Sequence, residues 1–497
     1  MALVLVLWVL MILSAVALEL KFSTHLRMRV TANAGDTTKA FFLARAGVEH
    51  AVADLTAGRD RVQALADLRE DDERPYHNIE LGDGTYTLYA GMDEAGDPLY
   101  GIGDEAAKIN LNNADEDMLA RVPGIEPELA ALIVDYREHS GQQQVGQAGE
   151  SGQADASSES AEEGTRRAGF HDLNDLLALE GVDRMMLYGE DQNGNGILDS
   201  NEDDGDESWP PDNADGWLDD GLAAYLTTWS AARNVTADGE ERVDLSSADA
   251  STLVSSVSGL SQQQADSIVA HRQKNKFSSI ADLLDVELVE KVEQKPPDGG
   301  SPEGQQGELQ QGEESGGDKD TGQDGGKNDG KNGDETAKNE QAESDGEAPS
   351  DGEEGGQPAP QVKGTGQKAF DTDQFRRIAD LVSTTGDEVL HGLINVNTAS
   401  PEVLACLPDM DEAVARSIVR EREGRQEGFT TLADLLDVDG VTEELFKKIC
   451  PNLTVRSDVF NVRSFGVLRN GESYRCASAV IDRTDTSVRI LYWCELE

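Results

Sequence analysis

The sequence predicts an α+β fold: a long N-terminal helix packed on a small antiparallel sheet, with a large all-α insertion between the two halves of that sheet. Three observations predict it. Residues 1–57 keep a helical pattern without a break. Alternating strand patterns gather near the two ends, in 75–105 and 453–497. Between them one helical plan recurs three times, over 106–291 (two copies) and 368–452 (the third). With 497 residues the chain has room for several domains, but not all of it need be folded core.

The first third of the opening helix, MALVLVLWVLMILSAVAL, carries no charge before Glu19. Eighteen residues at about 1.5 Å each reach roughly 27 Å, enough to cross a bilayer core. Further on, Phe41, Ala44, Val48, Ala51, Val52 and Leu55 recur every three or four residues among Thr38, Lys39, Arg45, Glu49, His50 and Asp54. That is one apolar stripe on a helix that has left the membrane. No proline precedes Pro75, and Gly58 is a stop signal. Two plainer readings stay open at this point. One is a cleaved secretory signal, since Ala15-Val16-Ala17 fits a small-x-small site, although the apolar run is long for an h-region and no basic stretch precedes it. The other is a signal anchor bearing an unrelated domain.

Ile79 to Gly91 reads as a hairpin turning at Asp83-Gly84, with Tyr86, Leu88 and Ala90 on its buried face. Two strands are too few to be stable alone. The end of the chain supplies partners: Val459 to Val467, Tyr474 to Asp482, and Ser487 to Leu496 with alternating Val488, Ile490, Tyr492 and Cys494. Four cysteines lie in the last quarter, none in a zinc-type CxxC. With Thr484-Asp485-Thr486 as hairpin tip, Cys476 and Cys494 face each other and can bridge. Cys406 with Cys450 is a weaker pair, and four buried thiols are the plain alternative.

The formal net charge is -55. Much of the acid falls in 292–367, where Gly, Asp, Glu, Gln, Lys and Asn dominate, and a smaller insert runs over 142–168. Neither buries enough apolar surface to offset its ordering entropy, so both are expected to be disordered. So acidic a chain repels nucleic acid and anionic headgroups and suits a divalent cation.

The repeats open with Ile109-Asn110-Leu111-Asn112-Asn113-Ala114, Val243-Asp244-Leu245-Ser246-Ser247-Ala248 and Ile394-Asn395-Val396-Asn397-Thr398-Ala399. Two helices follow, then an aromatic and Asp-Leu-Leu: Phe170 with Asp175-Leu176-Leu177, Phe277 with Asp282-Leu283-Leu284, Phe429 with Asp434-Leu435-Leu436. Asn112, Ser246 and Asn397 read as turn or N-cap residues. The plan resembles the helix-hairpin-helix family, best in Leu119 to Ala130 around Val122-Pro123-Gly124-Ile125. DNA-binding members of that family hold a phosphate with hairpin N–H groups and nearby Lys or Arg. Here Glu126 and Glu128 take those places, the second copy keeps Ser258-Gly259-Leu260, and the third has Pro408-Asp409-Met410-Asp411. A phosphate contact rests on positive charge, so these hairpins read as protein-packing modules.

Between the first two repeats lies Asp191-Gln192-Asn193-Gly194-Asn195-Gly196-Ile197-Leu198-Asp199-Ser200-Asn201-Glu202. It matches an EF-hand-type calcium loop. Asp191, Asn193, Asn195, Asp199 and Glu202 place oxygens at positions 1, 3, 5, 9 and 12. Ile197 offers its carbonyl, and Gly196 stands where the chain must turn sharply. An acidic surface loop is the plain alternative, since Asp203, Asp204 and Asp206 continue the run. Pro210-Pro211 follow in place of a second helix, so the loop is structural and not a paired sensor. A second, partial loop offers Asp212, Asn213, Asp215, Trp217 and Asp219, with Asp212 or Asp220 standing in for Pro211 at its first position or ligands shared with the first loop.

Long helix, split sheet, helix-hairpin-helix insertion and calcium loop together resemble the type II secretion minor pseudopilin K family, outside the two acidic inserts. The resemblance implies a pilin-like fold and a structural, non-enzymatic subunit at the tip of a secretion pseudopilus. It implies Ca2+ as a structural ion, and the minor pseudopilins I and J as partners, with the major pseudopilin a further candidate. It places the helix in the bacterial inner membrane and the C-terminal bulk in the periplasm, with no nucleic acid bound. Counted from Met1, the fifth residue is Leu5 where most pilin-like subunits carry Glu, as suits a tip subunit with nothing above it. Lys21, Arg27 and Arg29 follow the span and by charge bias alone would mark the cytoplasmic side; the missing basic leader, which normally sets that bias, outweighs the count. No chemistry competes: the His are scattered, no Ser or Cys pairs with a His, and no glycine-rich phosphate loop occurs. The alternative is a membrane-anchored helix-hairpin-helix DNA-binding or uptake protein.

Overall fold

A computed structural model describes residues 2–58, 68–69, 75–92, 98–139, 169–196, 198–205, 207–219, 221–291, 362–469, 471 and 473–496. The insert at 142–168 and most of 292–367 lie outside the described residues. The chain divides into a unit of Met1–Val289 with Gly364–Glu497 and a second unit, Glu290–Lys363, whose described residues are the strand ends 290–291 and 362–363. All that follows concerns the first unit, apart from those strand ends.

Helix α1 runs from Ala2 to Ala57. Its large apolar side chains from Leu5 to Val30 are exposed, and this part is long and apolar enough to cross a membrane. From residue 40 the environment changes: Ala40, Leu43, Ala44, Val48, Ala51 and Leu55 are buried, with Phe41 and Val52 half-buried at the margin. Two glycines allow the close approach. A Cβ at Gly47 would lie 2.0 Å from Ser464 Oγ, and one at Gly466 would lie 2.2 Å from the Ala40 carbonyl. Helix backbone therefore rests almost directly on strand backbone, and the stripe needs no large residues at its centre.

Strands β1 (Ile79–Leu81) and β2 (Gly84–Met92) form the expected hairpin, with β3 (Pro98–Tyr100) paired to β2 and β4 (Gly103–Asp104) further on. Its turn is Gly82-Asp83, one residue earlier than the sequence suggests, because Leu81 pairs with Gly84. Gly82 takes φ 58°, while Gly84 is held in the ladder, where a Cβ would meet the Val467 carbonyl at 2.3 Å.

The first repeat comprises β5 (Ile109–Asn110), α2 (Glu116–Leu119), α3 (Pro127–His139), a 3-10 turn at Leu173–Ala178, α4 (Arg184–Tyr188) and β6 (Leu226–Thr227). After β7 (Ala231–Arg233) the second repeat has β8 (Val243–Asp244), α5 (Ala250–Ser256), α6 (Gln262–Arg272), a 3-10 turn at Ile280–Asp285, the paired β9 (Glu287–Lys291) and β10 (Val362–Lys368), α7 (Thr372–Ile378) and β11 (Val382–Ser383). After β12 (Val389–His391), the third has β13 (Ile394–Asn395), α8 (Pro401–Ala405), α9 (Glu412–Glu423), a 3-10 turn at Leu432–Asp437, α10 (Glu443–Ile449) and β14 (Leu453–Thr454).

Each repeat is tied shut by a parallel pair: β5 with β6, β8 with β11, β13 with β14. The insertion is thus not all-α. Two boundaries also move. Residues 368–383 complete the second repeat, since β11 returns to β8, and the third repeat opens at β13. The acidic insert gives up its end to β10, whose backbone finds partners in β9.

Strands β15 (Val459–Leu468), β16 (Tyr474–Asp482) and β17 (Arg489–Leu496) complete the sheet in the order β1-β2-β15-β16-β17, with β4 also pairing β15. Both ends of the chain therefore build one sheet, and α1 lies across it. The cysteine expectation fails here. The hairpin pairs Asp482 with Arg489, one position off the expected centre, and a bulge between Val480 and Ile481 adds one more, so Cys476 faces Leu496 and Cys494 faces Ser478. All four cysteines are free. Burial pushes the thiols of Cys450 and Cys476 up to about 12 and that of Cys406 up to about 11.

Asp104 and Glu105 fasten the sheet to the repeats. Asp104 Oδ2 accepts from Asn395 Nδ2 (2.8 Å) and Thr398 Oγ1 (2.6 Å) in the third repeat. Glu105 accepts from Thr227 Oγ1 at the end of the first repeat and from Asn461 Nδ2 (2.9 Å) on β15. Both are 6 % exposed, and burial raises the Asp104 carboxyl against these hydrogen bonds.

Candidate functional site

Two features carry chemistry: the acidic loops between α4 and β6, and the hairpins of the three repeats.

In the first loop Asp191 organises the backbone. Its Oδ1 accepts from Asn195 N (2.8 Å) and its Oδ2 from Gly196 N (2.8 Å), while Asn193 Oδ1 also accepts from Asn195 N (2.9 Å). The tight turn needs Gly196 twice over: φ is 72°, and a Cβ would fall 1.8 Å from Arg463 Nη1 on β15. Asn193 Nδ2 and Asn195 Nδ2 donate to Asp199 Oδ2 at 2.9 and 2.8 Å, and Asp199 N donates to Glu202 Oε2 at 3.0 Å. The loop thus brings Asp191, Asn193, Asn195, Asp199 and Glu202 together, while Ile197 lies outside the described residues.

Glu202 is 1 % exposed. Burial pushes its carboxyl up to about 7, and the charges of Asp191, Asp199 and Glu190 add to this against the Asp199 N–H. Like charges gathered out of water are costly without a counter-ion. The donors are all oxygens, which suits a hard cation in type and in burial. Among the described residues no three His, Cys, Asp or Glu side chains form a metal-ready cluster; the set leans on two amides. Those amides turn their N–H groups to Asp199, two hydrogen bonds that leave its charge in place.

The second loop is built differently. Asp212 accepts from Gly205 N (2.7 Å), Ala214 N (2.8 Å) and Asp204 N (3.1 Å). Asn213 Oδ1 accepts from Asp215 N, and Asp215 Oδ1 from Trp217 N, both at 2.9 Å. Asn213, Asp215, Trp217 and Asp219 are exposed, and Asp220 lies outside the described residues. Asp212, Asn213 and Asp215 thus cap local turns. Glu190, which the loop patterns pass over, joins the two: 4 % exposed, it accepts from Asn213 N (3.2 Å) and Asp219 N (3.1 Å). The one signal for it is its place next to Asp191, directly after Gly189.

The hairpins repeat with close fidelity. Gly124 and Gly259 both take φ 87°, and Asp409 takes φ 55° at the corresponding place. The helix N-caps are Asp115, Asp249 and Ser400, three residues later than Asn112, Ser246 and Asn397. Asn112 instead exchanges hydrogen bonds with the backbone of Phe170, and Asn397 does the same with Phe429, at 2.8 to 3.0 Å. Asp175, Asp282 and Asp434 close capping boxes, the physical reason for the recurrent Asp-Leu-Leu.

One arginine per repeat goes unnoticed in sequence. Arg137 Nη1 reaches the Leu111 and Ala114 carbonyls, Arg272 those of Leu245 and Ala248, Arg422 those of Val396 and Ala399, all at 2.6 to 3.1 Å. Its signal is an Arg in the last turn of each second helix. One donor of each hairpin is spent inward: Ile125 N, Leu260 N and Met410 N bond the carbonyls of Val122, Val257 and Leu407. Arg121, beside the first hairpin, donates to the Leu407 carbonyl of the third (2.7 Å), and Lys448 is paired with Asp409.

Comparison with known families agrees with this geometry. Residues 104–144, 238–292 and 389–454 match the helix-hairpin-helix motif, one match for each repeat and together roughly a third of the chain. The chain carries three helix-hairpin-helix motifs. No curated protein matches the sequence.

Proposed function

We propose that this protein is a membrane-anchored, structural subunit of a pilin-like filament, of the minor pseudopilin K kind, at the tip of a type II secretion pseudopilus. One observation carries the reading. The packed half of α1 lies on a sheet made from both ends of the chain, while its apolar half is exposed from Leu5 to Val30. A helix of that design sits in the inner membrane with the folded bulk in the periplasm, then exchanges lipid for neighbouring helices as the filament grows. The helical repeats form the body above the sheet, held by Asp104 and Glu105.

Calcium is the ion this reading assigns to the first acidic loop, with Asp191, Asn193, Asn195, Asp199, Glu202 and the Ile197 carbonyl as its ligands. It would neutralise carboxylates that are buried together. The role is structural and non-enzymatic: the ion fixes a loop that packs against Arg463 and Tyr89 of the sheet.

Co-expression with I-like and J-like minor pseudopilins from the same genome tests the assembly. A complex that survives purification is the expected result, and failure of the three to associate in detergent and in membranes defeats it.

The motif match favours a second reading, since helix-hairpin-helix motifs suggest nucleic-acid binding: a membrane-anchored DNA-binding or uptake protein. Against it stand 97 acidic residues to 42 basic ones, and acidic side chains at the hairpins, Glu126 and Glu128 in the first and Asp409 and Asp411 in the third. A shift assay with duplex DNA at low salt decides; salt-sensitive binding would revive this reading.

A further inference from the structure

The acidic loops expose two tryptophans. Trp209 is 70 % exposed and Trp217 57 %, in a chain with five tryptophans. An indole presents one of the largest apolar faces available to a side chain, and leaving two in water on a folded surface marks a contact surface. Their backbones are held. Asn201 Nδ2 donates to the Trp209 carbonyl (3.4 Å), Ser208 Oγ to Asp204 Oδ2 (2.7 Å), Gly216 N to Asp203 Oδ1 (3.0 Å) and Trp217 N to Asp215 Oδ1 (2.9 Å). The backbone around both tryptophans is thus tied to the same segment, 201–205, in a loop that gives up little entropy when a partner binds.

The charge around them has one sign. From residue 185 to residue 232 the sequence has twelve acidic residues and no Lys, Arg or His. Asp203, Glu207, Asp215 and Asp219 are exposed beside the tryptophans. Two divalent ions would still leave this stretch strongly negative. Exposed indoles bordered by carboxylates attract a cation twice, through the ring face and through the charge. An anionic membrane surface is repelled by the same carboxylates.

We propose that Trp209 and Trp217 form a docking surface for a basic, Arg- or Lys-bearing segment of a partner protein. The indoles supply the buried apolar contact at its centre, and the carboxylates select the charge and steer the approach. The surface does not depend on which filament the chain enters.

The test uses the full chain in detergent with calcium present. A labelled (Arg-Gly)6 peptide is the probe, with (Glu-Gly)6 as control, followed by fluorescence anisotropy at physiological ionic strength, where charges beyond about 8 Å are screened. Binding of the basic peptide that weakens about tenfold or more in Trp209→Ala/Trp217→Ala, and recovers in part in Trp209→Phe/Trp217→Phe, is the expected result. An unchanged thermal midpoint in the alanine variant shows that folding is intact. Equal binding by wild type and alanine variant means that bulk charge does the holding and overturns the proposal, as does absence of binding. Preferential binding of a neutral chito-oligosaccharide overturns it in favour of a glycan surface.

Discussion

The two acidic loops share composition and spacing but not environment. In the first, Asp191, Asn195 and Glu202 are nearly fully buried against the sheet. In the second, Asn213, Asp215 and Asp219 face solvent, and Asn213 and Asp215 spend oxygens on the N–H groups of Asp215 and Trp217. A ligand pattern in sequence is therefore an offer of oxygens. Burial decides whether the offer becomes a charge problem that a cation solves, because desolvation sets the cost of leaving carboxylates uncompensated.

The comparison breaks most clearly at the first loop. Calcium at a hundred times its Kd is expected to stabilise the protein by about 2.7 kcal/mol if it binds the native state alone. Asp191→Ala combined with Glu202→Ala removes that gain. A thermal melt with calcium and with chelator reads it directly: the wild-type midpoint rises and the variant's does not. A wild-type midpoint indifferent to calcium would place both loops in the same, merely acidic class.

Glu190 sharpens the contrast from between the loops. Its two oxygens hold Asn213 N and Asp219 N, one each. In Glu190→Gln one of those positions becomes an N–H donor facing an N–H, so one hydrogen bond is lost and a buried donor is left unmet. The expected cost is about 1–3 kcal/mol. Faster proteolysis between Asp203 and Asp219, with calcium binding at the first loop retained, is the signature that Glu190 couples the loops without being a ligand.

How much of this was legible follows from the range of the forces involved. The helix stripe, the hairpin and the three repeats come from local periodicity and turn chemistry, and they stand in the structure within a residue or two. The Gly82-Asp83 turn, the Cys476 register and the ownership of residues 368–383 escaped because each is set by a distant contact. Gly84 is fixed by Val467, Cys476 by the Asp482–Arg489 pairing together with a bulge at Val480, and Thr372–Ile378 by the return of β11 to β8. In the acidic loops the ligand types were readable, since they depend on spacing. Glu190 was not, because its role depends on two N–H groups more than twenty residues away.

Protons offer a gentler probe of the same difference. Glu202 has its folded pKa raised from about 4.5 to about 7, so without metal the folded state holds its proton more tightly than the unfolded chain does. Stability from this group is full below pH 4.5 and is lost as pH rises to about 7. Calcium, which binds the anion, acts in the opposite sense, so its stabilisation should fade as pH drops below about 7. Denaturant unfolding of the chelated protein across this window should show the loss, and Glu202→Gln should flatten it. In the second loop the direction is reversed: against the cost of burial, the N–H groups of Gly205, Ala214 and Asp204 hold the Asp212 carboxyl below its ordinary value.

The smallest effect is expected at Asp215. Its side chain is exposed and accepts one hydrogen bond, from Trp217 N. Asp215→Ala removes a turn cap and one surface charge, a change of about 0.5 kcal/mol or less. The calcium-dependent midpoint shift should survive almost intact. A loss as large as that of the Glu202 variant would mean that the two loops form one ion site across Glu190, and that the exposed carboxylates turn inward when the ion arrives. The contrast between buried and exposed ligands would then describe the metal-free protein alone.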